Sequence, residues 1–181
     1  MSGANPTSEG RASARPSNNG TGGSTSLRGE VGRHHPIHLS PLEAHNLPII
    51  IFVTCCSARK VPILASASTH EAILNAWSAA SSWLVGRYVV MPNHLHLFCS
   101  PNGIDAPSLD RWMRYWKSLV TRAIGKRSGE LWQRHHWDRQ LRRGESYDEK
   151  WEYVRNNPAR HGYVTDADDW SYAGELNELR W

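Results

Sequence analysis

The stretch V-V-M-P-N-H-L-H-L-F-C-S-P, residues 89–101, combines turn and strand signals with two closely spaced histidines. The Pro-Asn pair at 92–93 predicts a turn, and the β-branched and apolar residues around it predict strands. We therefore expect a hairpin whose second strand covers residues 94–99. Successive side chains of a strand point to opposite faces, so His94 and His96 should share one face.

A histidine pair on one strand face has two interpretations. An isolated His-x-His is often a polar pair on the solvated side of a half-buried strand. This pair lies beside a tight turn and apolar residues, with a candidate nucleophile downstream, which favours half of a metal site. Cys99 does not extend it to a zinc site, because its spacing from His96 places it on the opposite face and the chain contains no Cys-x-x-Cys.

The composition of the chain changes sharply along its length. No Phe, Trp or Tyr precedes Phe52, and all nine tryptophans follow it. Half of the 14 glycines lie in the first 40 residues, in runs such as S-N-N-G-T-G-G-S-T-S, which bury too little apolar surface to offset their ordering entropy. We expect a disordered tail at 1–46, one folded domain at 47–175 and a C-terminal end at 176–181.

The sequence contains no secretion or membrane signal. No stretch approaches the ~20 apolar residues of a membrane helix, and three cysteines do not make a disulfide framework. We expect no membrane partner and a soluble, intracellular protein. The formal charge of +4 and pI near 9.1 permit a nucleic-acid partner without demanding one.

The order of the predicted elements is that of an α/β chain. An apolar run ending at Cys56 predicts a central first strand. A helix should follow from Thr69, its candidate N-cap, to about Ser82, and the first hairpin strand should end at Met91. The next helix should begin at Ser108. The segment after residue 164 predicts an irregular strap anchored by Trp170.

Two segments are rich in basic residues. One is the side of the helix after Ser108, and the other is L-W-Q-R-H-H-W-D-R-Q-L-R-R at 131–143, which should form one or two short strands. Cations with aromatics suit a surface that tracks phosphates and stacks unpaired bases. A solvated helix face and a charge-protected edge strand are the alternatives. The candidate DNA contacts are Arg111, Arg114, Lys117, Arg134 and Arg139.

The last predicted helix begins at Ser146 and ends before Pro158. Its core stripe consists of Tyr147, Trp151 and Val154. Tyr153 falls off that stripe and shares a side with Lys150, three residues earlier, and Asn157, four residues later. This displacement favours a tyrosine that faces a functional site.

The chain resembles the HUH single-strand endonucleases, in particular the Y1 transposases of the IS200 type and, among them, the REP-associated tyrosine transposases. The resemblance rests on V-V-M-P-N-H-L-H-L at 89–97, L-W-Q-R-H-H-W-D-R-Q-L-R at 131–142 and Y-V-R-N-N-P-A-R-H-G-Y-V at 153–164. It implies one ferredoxin-like α+β domain at 47–175, with an antiparallel sheet, helices on one face and the catalytic site on the other. His135 and His136 stand where such proteins more usually have aromatic residues. They are therefore alternative metal ligands or DNA contacts.

The resemblance also implies a chemistry. His94, His96 and Asn157 would bind Mg²⁺ or Mn²⁺, and Tyr153 would cut single-stranded or hairpin DNA through a 5′-phosphotyrosine. The phenol would be activated by the field of the metal, by Lys150 or by a base. A binding domain of the same fold that no longer cuts and a metal-dependent hydrolase using water are the rival functions. The resemblance further implies a bacterial-type cytoplasmic protein associated with the nucleoid, as a monomer or a homodimer.

Overall fold

The computed structural model describes residues 49–127, 129–141 and 147–180. The expected tail at 1–46, the helix start at Ser146, and Arg142 and Arg143 lie outside these residues. The described elements are β1 Ile51–Cys56, α1 Ala67–Ala79, β2 Trp83–Val90, β3 His94–Pro101, α2 Leu109–Ala123, β4 Trp137–Gln140, α3 Tyr147–Arg155, α4 Asn157–Arg160 and β5 Ala173–Glu175.

The five strands form one antiparallel sheet in the order β4-β1-β3-β2-β5. Up to β4, the element order βαββαβ and this strand order are those of a ferredoxin-like fold, as expected. β1 lies between β4 and β3, which explains why its side chains are apolar on both faces. The predicted α+β fold class is confirmed.

The two faces of the sheet have different neighbours. Helices α1 and α2 bury apolar stripes that include Trp77, Trp112 and Trp116 against the face that carries Leu95 and Leu97. The opposite face carries Phe98, which packs against Tyr147 and Val154 of the shorter helix α3. Because His94 and His96 alternate with Leu95 and Leu97 along β3, the histidines belong to the α3 face.

Helix α1 begins earlier than the sequence indicated. Ser66, not Thr69, is its N-cap, and the Ser66 hydroxyl accepts a hydrogen bond from the Thr69 amide at 3.4 Å. The helix then ends at Ala79 rather than near Ser82. Thr69 is instead buried within the first turn, where its hydroxyl accepts a hydrogen bond from the Ser66 hydroxyl at 3.0 Å.

The segment after α4 is more regular than the predicted strap. It contains β5, which pairs with β2, and Leu179 is buried against the α3 face of the sheet. Trp170 does anchor it, donating from its indole nitrogen to the Val90 carbonyl at 3.0 Å. No helix among the described residues is long and apolar enough to cross a membrane.

Candidate functional site

The turn before β3 places the first histidine. The Ser57 amide donates to the Asn93 carbonyl and the Leu64 amide to the Pro92 carbonyl, both at 2.9 Å, so two other segments hold the turn. His94 begins β3 directly after it. The His94 and His96 rings are 4.9 Å apart between centroids, in an edge-to-face arrangement. The predicted pairing of the histidines on one face is confirmed.

Both imidazoles are held through the same ring nitrogen. His94 Nδ1 lies 2.7 Å from the Asn93 side-chain oxygen, and His96 Nδ1 lies 2.8 Å from the Thr54 hydroxyl. An amide oxygen only accepts, so His94 carries its proton on Nδ1. Neither Nε2 has a hydrogen-bond partner in the described part of the chain. This is how metal-binding histidines are usually oriented by their neighbours.

Burial keeps both imidazoles neutral. It lowers the pKa of His96 to about 3, with further lowering by the charges of His94, His161 and Lys150. Burial likewise lowers the pKa of His94, with smaller contributions from His161 and Lys60. Both rings are therefore neutral near pH 7, each with one N–H and one unprotonated nitrogen, the state that a metal ligand requires.

Helix α3 brings the tyrosine to the same face of the sheet. Tyr153 is 58% exposed, while Tyr147 and Val154 of the core stripe are buried, so the predicted displacement is confirmed. The Lys150 ammonium lies 5.9 Å from the Tyr153 ring centroid and 5.5 Å from that of Phe52. Phe52 in turn stacks on His96, with centroids 5.5 Å apart. No hydrogen bond joins Tyr153 to either histidine within the described residues.

Arg160 links Asn157 to Tyr153 by hydrogen bonds. Helix α3 ends at Arg155, and Asn157 starts the short helix α4, where its side chain is buried. One Arg160 nitrogen donates to the Asn157 side-chain oxygen at 3.4 Å and another to the Tyr153 hydroxyl at 3.3 Å. The guanidinium also covers the tyrosine ring, 4.4 Å from its centroid.

Two residues of this neighbourhood were not predicted. Arg160 bridges Tyr153 and Asn157, and His161 is close enough to both strand histidines to lower their pKa values. Both lie inside the block 153–164, beyond the break between α3 and α4. The break alters the angle at which later residues point, so helical spacing from Tyr153 did not indicate them.

The donor set accommodates a divalent cation only with help from an amide or water. No group of three or more His, Cys, Asp or Glu side chains at metal-binding spacing occurs in 49–127, 129–141 and 147–180. Two neutral imidazoles with free Nε2 atoms, together with an amide oxygen such as that of Asn157, would give the mixed nitrogen and oxygen ligation expected for such an ion.

The predicted DNA contacts fall on two sides of the sheet. Arg114, Lys117 and Arg134 line a groove of about 910 Å³ between α2 and residues 129–136, on the face of α1 and α2. We call this the basic groove. His135 and His136 also line it, away from the paired histidines. Arg139 pairs in register with Phe52, and therefore shares the histidine face. Arg111 is exposed on α2 outside the groove lining.

Lys117 differs from the other predicted contacts. Its side chain is buried, its ammonium donates to the Gln133 carbonyl at 2.9 Å, and it lies 5.6 Å from the Trp132 ring centroid. Burial lowers its pKa. Lys117 thus forms the floor of the basic groove and ties α2 to the following segment, whereas Arg114 and Arg134 are exposed at its surface.

The fold and the site define a class of protein: a ferredoxin-like α+β domain in which a histidine pair on a central strand shares a sheet face with an exposed helix tyrosine. Within this class the chain is similar to REP-associated tyrosine transposases. One of these, from Escherichia coli strain K12, is 32% identical over 90 residues, which are 49% of this chain and 52% of the relative. The resemblance expected from the sequence is confirmed.

Two further comparisons agree. A relative from Haemophilus influenzae, described as a candidate protein of the same kind, is 28% identical over 104 residues, 50% of this chain and 58% of its own. The solved structure of a REP-associated tyrosine transposase bound to a REP hairpin superposes with a TM-score of 0.58 and 25% identity, covering 69% of this chain and 75% of that one. The chain thus spans little more than half the length of its curated relatives. No family model matches it.

Proposed function

We propose that the protein is a metal-dependent single-strand DNA endonuclease and strand transferase that acts at hairpin-associated sites and forms a 5′-phosphotyrosine. The observation that carries this proposal is the exposed Tyr153 on the sheet face of His94 and His96, with Lys150 between the phenol ring and the Phe52–His96 stack. The similarity to transposases, one of them solved with a REP hairpin, supports DNA as the substrate.

The proposed reaction exchanges one phosphodiester for another. The Tyr153 oxygen attacks the scissile phosphorus as the phenol loses its proton, and the bond from phosphorus to the 3′ oxygen breaks. The 3′ oxygen takes up a proton and leaves as a free hydroxyl, while the 5′ phosphate stays on the tyrosine. The new ester is similar in energy to the old one, so the same site can reverse the step with another 3′ hydroxyl and needs no ATP.

The side chains around the tyrosine have separate parts in this reaction. The Arg160 nitrogen that donates to the Tyr153 hydroxyl stabilises the oxygen as it becomes negative. Lys150, beside the same ring, adds positive charge for the phosphate. A cation held by His94, His96 and Asn157 would supply charge to neutralise the phosphate oxygens.

The test is a covalent-adduct assay with a labelled DNA hairpin carrying an unpaired strand at its foot, in Mn²⁺ or Mg²⁺. We expect the wild type to stay attached, after denaturation, to the labelled DNA fragment on the 3′ side of the cut. The other fragment should end in a free 3′ hydroxyl. Tyr153→Phe should form no adduct, because it lacks the attacking oxygen. Tyr163→Phe is the matched control, because Tyr163 is similarly exposed, at 52% against 58%.

The rival functions give different results. A water-dependent hydrolase would cleave without an adduct and keep cleaving as Tyr153→Phe. If the protein were a binding domain that no longer cuts, the wild type would bind the hairpin and leave its DNA uncut. Either result contradicts the proposal.

A further inference from the structure

Trp137 is an exposed indole at the edge of the histidine face. It begins β4, the edge strand of the sheet, and 51% of it is exposed. It pairs in register with Thr54, the residue whose hydroxyl contacts His96, so its side chain shares that face. Its ring meets Phe52 edge to face, with centroids 5.7 Å apart.

Trp137 is the exposed end of a row of rings that leads into the site. The row runs His94, His96, Phe52 and Trp137, with successive centroids 4.9, 5.5 and 5.7 Å apart. Phe52 is only 6% exposed and is fixed in the core, so it positions the indole without being available to a ligand. Trp137 is thus one ring away from His96, with half its surface open.

The surroundings of the indole favour a flat, negatively charged polymer as its occupant. The Lys150 ammonium lies over the neighbouring Phe52 ring, and the guanidinium of Arg160 covers Tyr153. A nucleotide brings both complementary parts, a base with a π face for the indole and a phosphate for the cations.

We propose that Trp137 is the stacking platform for one unpaired nucleobase of the DNA strand, beside the phosphate presented to Tyr153. This proposal rests on the proposed function, and it adds a base subsite at a defined position along the strand. The base would lie on the open indole face, and the backbone would turn from there toward Lys150. Stacking is tolerant of base identity, so this subsite sets register rather than sequence.

The experiment combines single abasic substitutions in the DNA with substitution of the indole. Binding is measured by anisotropy in Mn²⁺ on a Tyr153→Phe background, so that cutting does not interfere. One abasic position in the unpaired strand should weaken binding roughly 5- to 150-fold, the usual effect of losing one base–aromatic stack. Trp137→Ala should weaken binding of intact DNA by a similar factor. In that variant the abasic position should cause no further loss of affinity. Trp137→Phe should keep most of the affinity.

The matched control is Tyr115→Ala on α2, because Tyr115 is exposed to the same extent, at 50% against 51%. It should leave the affinity and the abasic profile unchanged. The proposal is overturned if no abasic position couples to Trp137, or if Tyr115→Ala weakens binding as much. It is also overturned if Trp137→Ala changes the sedimentation mass of the free protein but not DNA affinity, which would make the indole a protein interface.

Failure of this inference can be told apart from failure of the proposed function. Adduct formation by the protein with intact Tyr153 reports the chemistry, while the abasic coupling reports the base subsite. An adduct without coupling removes the subsite and leaves the nuclease. Coupling without an adduct keeps the subsite in a protein that binds single strands and does not cut them.

Discussion

The two imidazoles of the site are held by groups from different elements. Thr54 on β1 holds His96, and Asn93 in the turn holds His94. For His96 to offer Nε2 to a cation, Nδ1 must carry the proton and donate it to the Thr54 hydroxyl. The threonine would then act on metal binding through the orientation and tautomer of the ring, without touching the metal.

We therefore expect Thr54→Val to weaken Mn²⁺ binding by roughly 10- to 100-fold, the usual cost of removing such an orienting partner. The substitution keeps the shape of the side chain and deletes the hydroxyl. Titration of Mn²⁺ by electron paramagnetic resonance gives the affinity, and the adduct assay at saturating metal shows how much activity returns.

Thr121→Val is the control for losing a threonine hydroxyl. Thr121 is buried on α2 and its hydroxyl donates to the Lys117 carbonyl at 2.7 Å, on the other face of the sheet. It should leave Mn²⁺ affinity unchanged. Equal affinities for Thr54→Val and wild type would mean that the threonine does not orient the ligand.

Single residues were predictable where a period alone decides their direction. The strand period pairs His94 with His96, and the helical angle moves Tyr153 off the stripe of Tyr147 and Val154, as the structure has them. The Trp137 platform and the Thr54 contact were not predictable. They depend on the register between β1 and β4 and between β1 and β3, which local sequence does not encode.

Among the elements, strand β2 contains a glycine, Gly86, against which two other segments of the chain pack closely. Its pairing with β3 shifts register between Val85 and Tyr88, and Gly86 lies at this irregularity. A Cβ atom at Gly86 would lie 2.7 Å from the Leu179 side chain and 2.9 Å from the Tyr147 hydroxyl. That hydroxyl accepts a hydrogen bond from the Arg87 amide at 3.2 Å and belongs to the first residue of α3. Glycine here allows α3 and the C-terminal segment to dock.

Gly86→Val should lower the free energy of unfolding by about 1–3 kcal/mol, the usual cost of overpacking a closed site. Urea unfolding followed by tryptophan fluorescence gives this value. Leu179→Ala tests the cause, because it removes the nearest obstructing side chain. In the double variant the two costs should be less than additive by at least about 0.5 kcal/mol. Strict additivity would contradict the proposed clash.

Element types and their order could be read from hydrophobic periodicity, but two features of the elements could not. β5 has three residues, Ala173–Glu175, too few for a period to appear, and it exists because β2 offers an open edge. The division between α3 and α4 at Asn156 comes from Pro158, whose effect on helix direction depends on the packing that follows.

At the scale of the whole molecule, the sheet separates two surfaces. The candidate DNA contacts predicted from the sequence come from both of them. The basic groove lies on the α1 and α2 face, whereas Tyr153, Lys150 and the histidines lie on the other. The chain passes from one face to the other where the groove lining ends at His136 and β4 begins at Trp137. Under the proposed function, a strand bound in the groove would reach the site around the β4 edge, so holding the strand and cutting it would be separate tasks.

This separation predicts that Arg122→Gln changes DNA affinity but not the cutting step. Arg122 lines the groove and makes no ion pair among the residues that the structure describes. Removing one phosphate contact should reduce the slope of log affinity against log salt by about 0.7–0.9. The rate of adduct formation at saturating hairpin should stay at the wild-type value, because the groove lies away from Tyr153.

Arg180→Gln makes the same change in net charge outside the groove, at an arginine paired with Glu178, and should leave the slope unaltered. An equal loss of slope in both variants would mean that net charge attracts the DNA, and a slower saturated rate in Arg122→Gln would mean that the groove takes part in cutting.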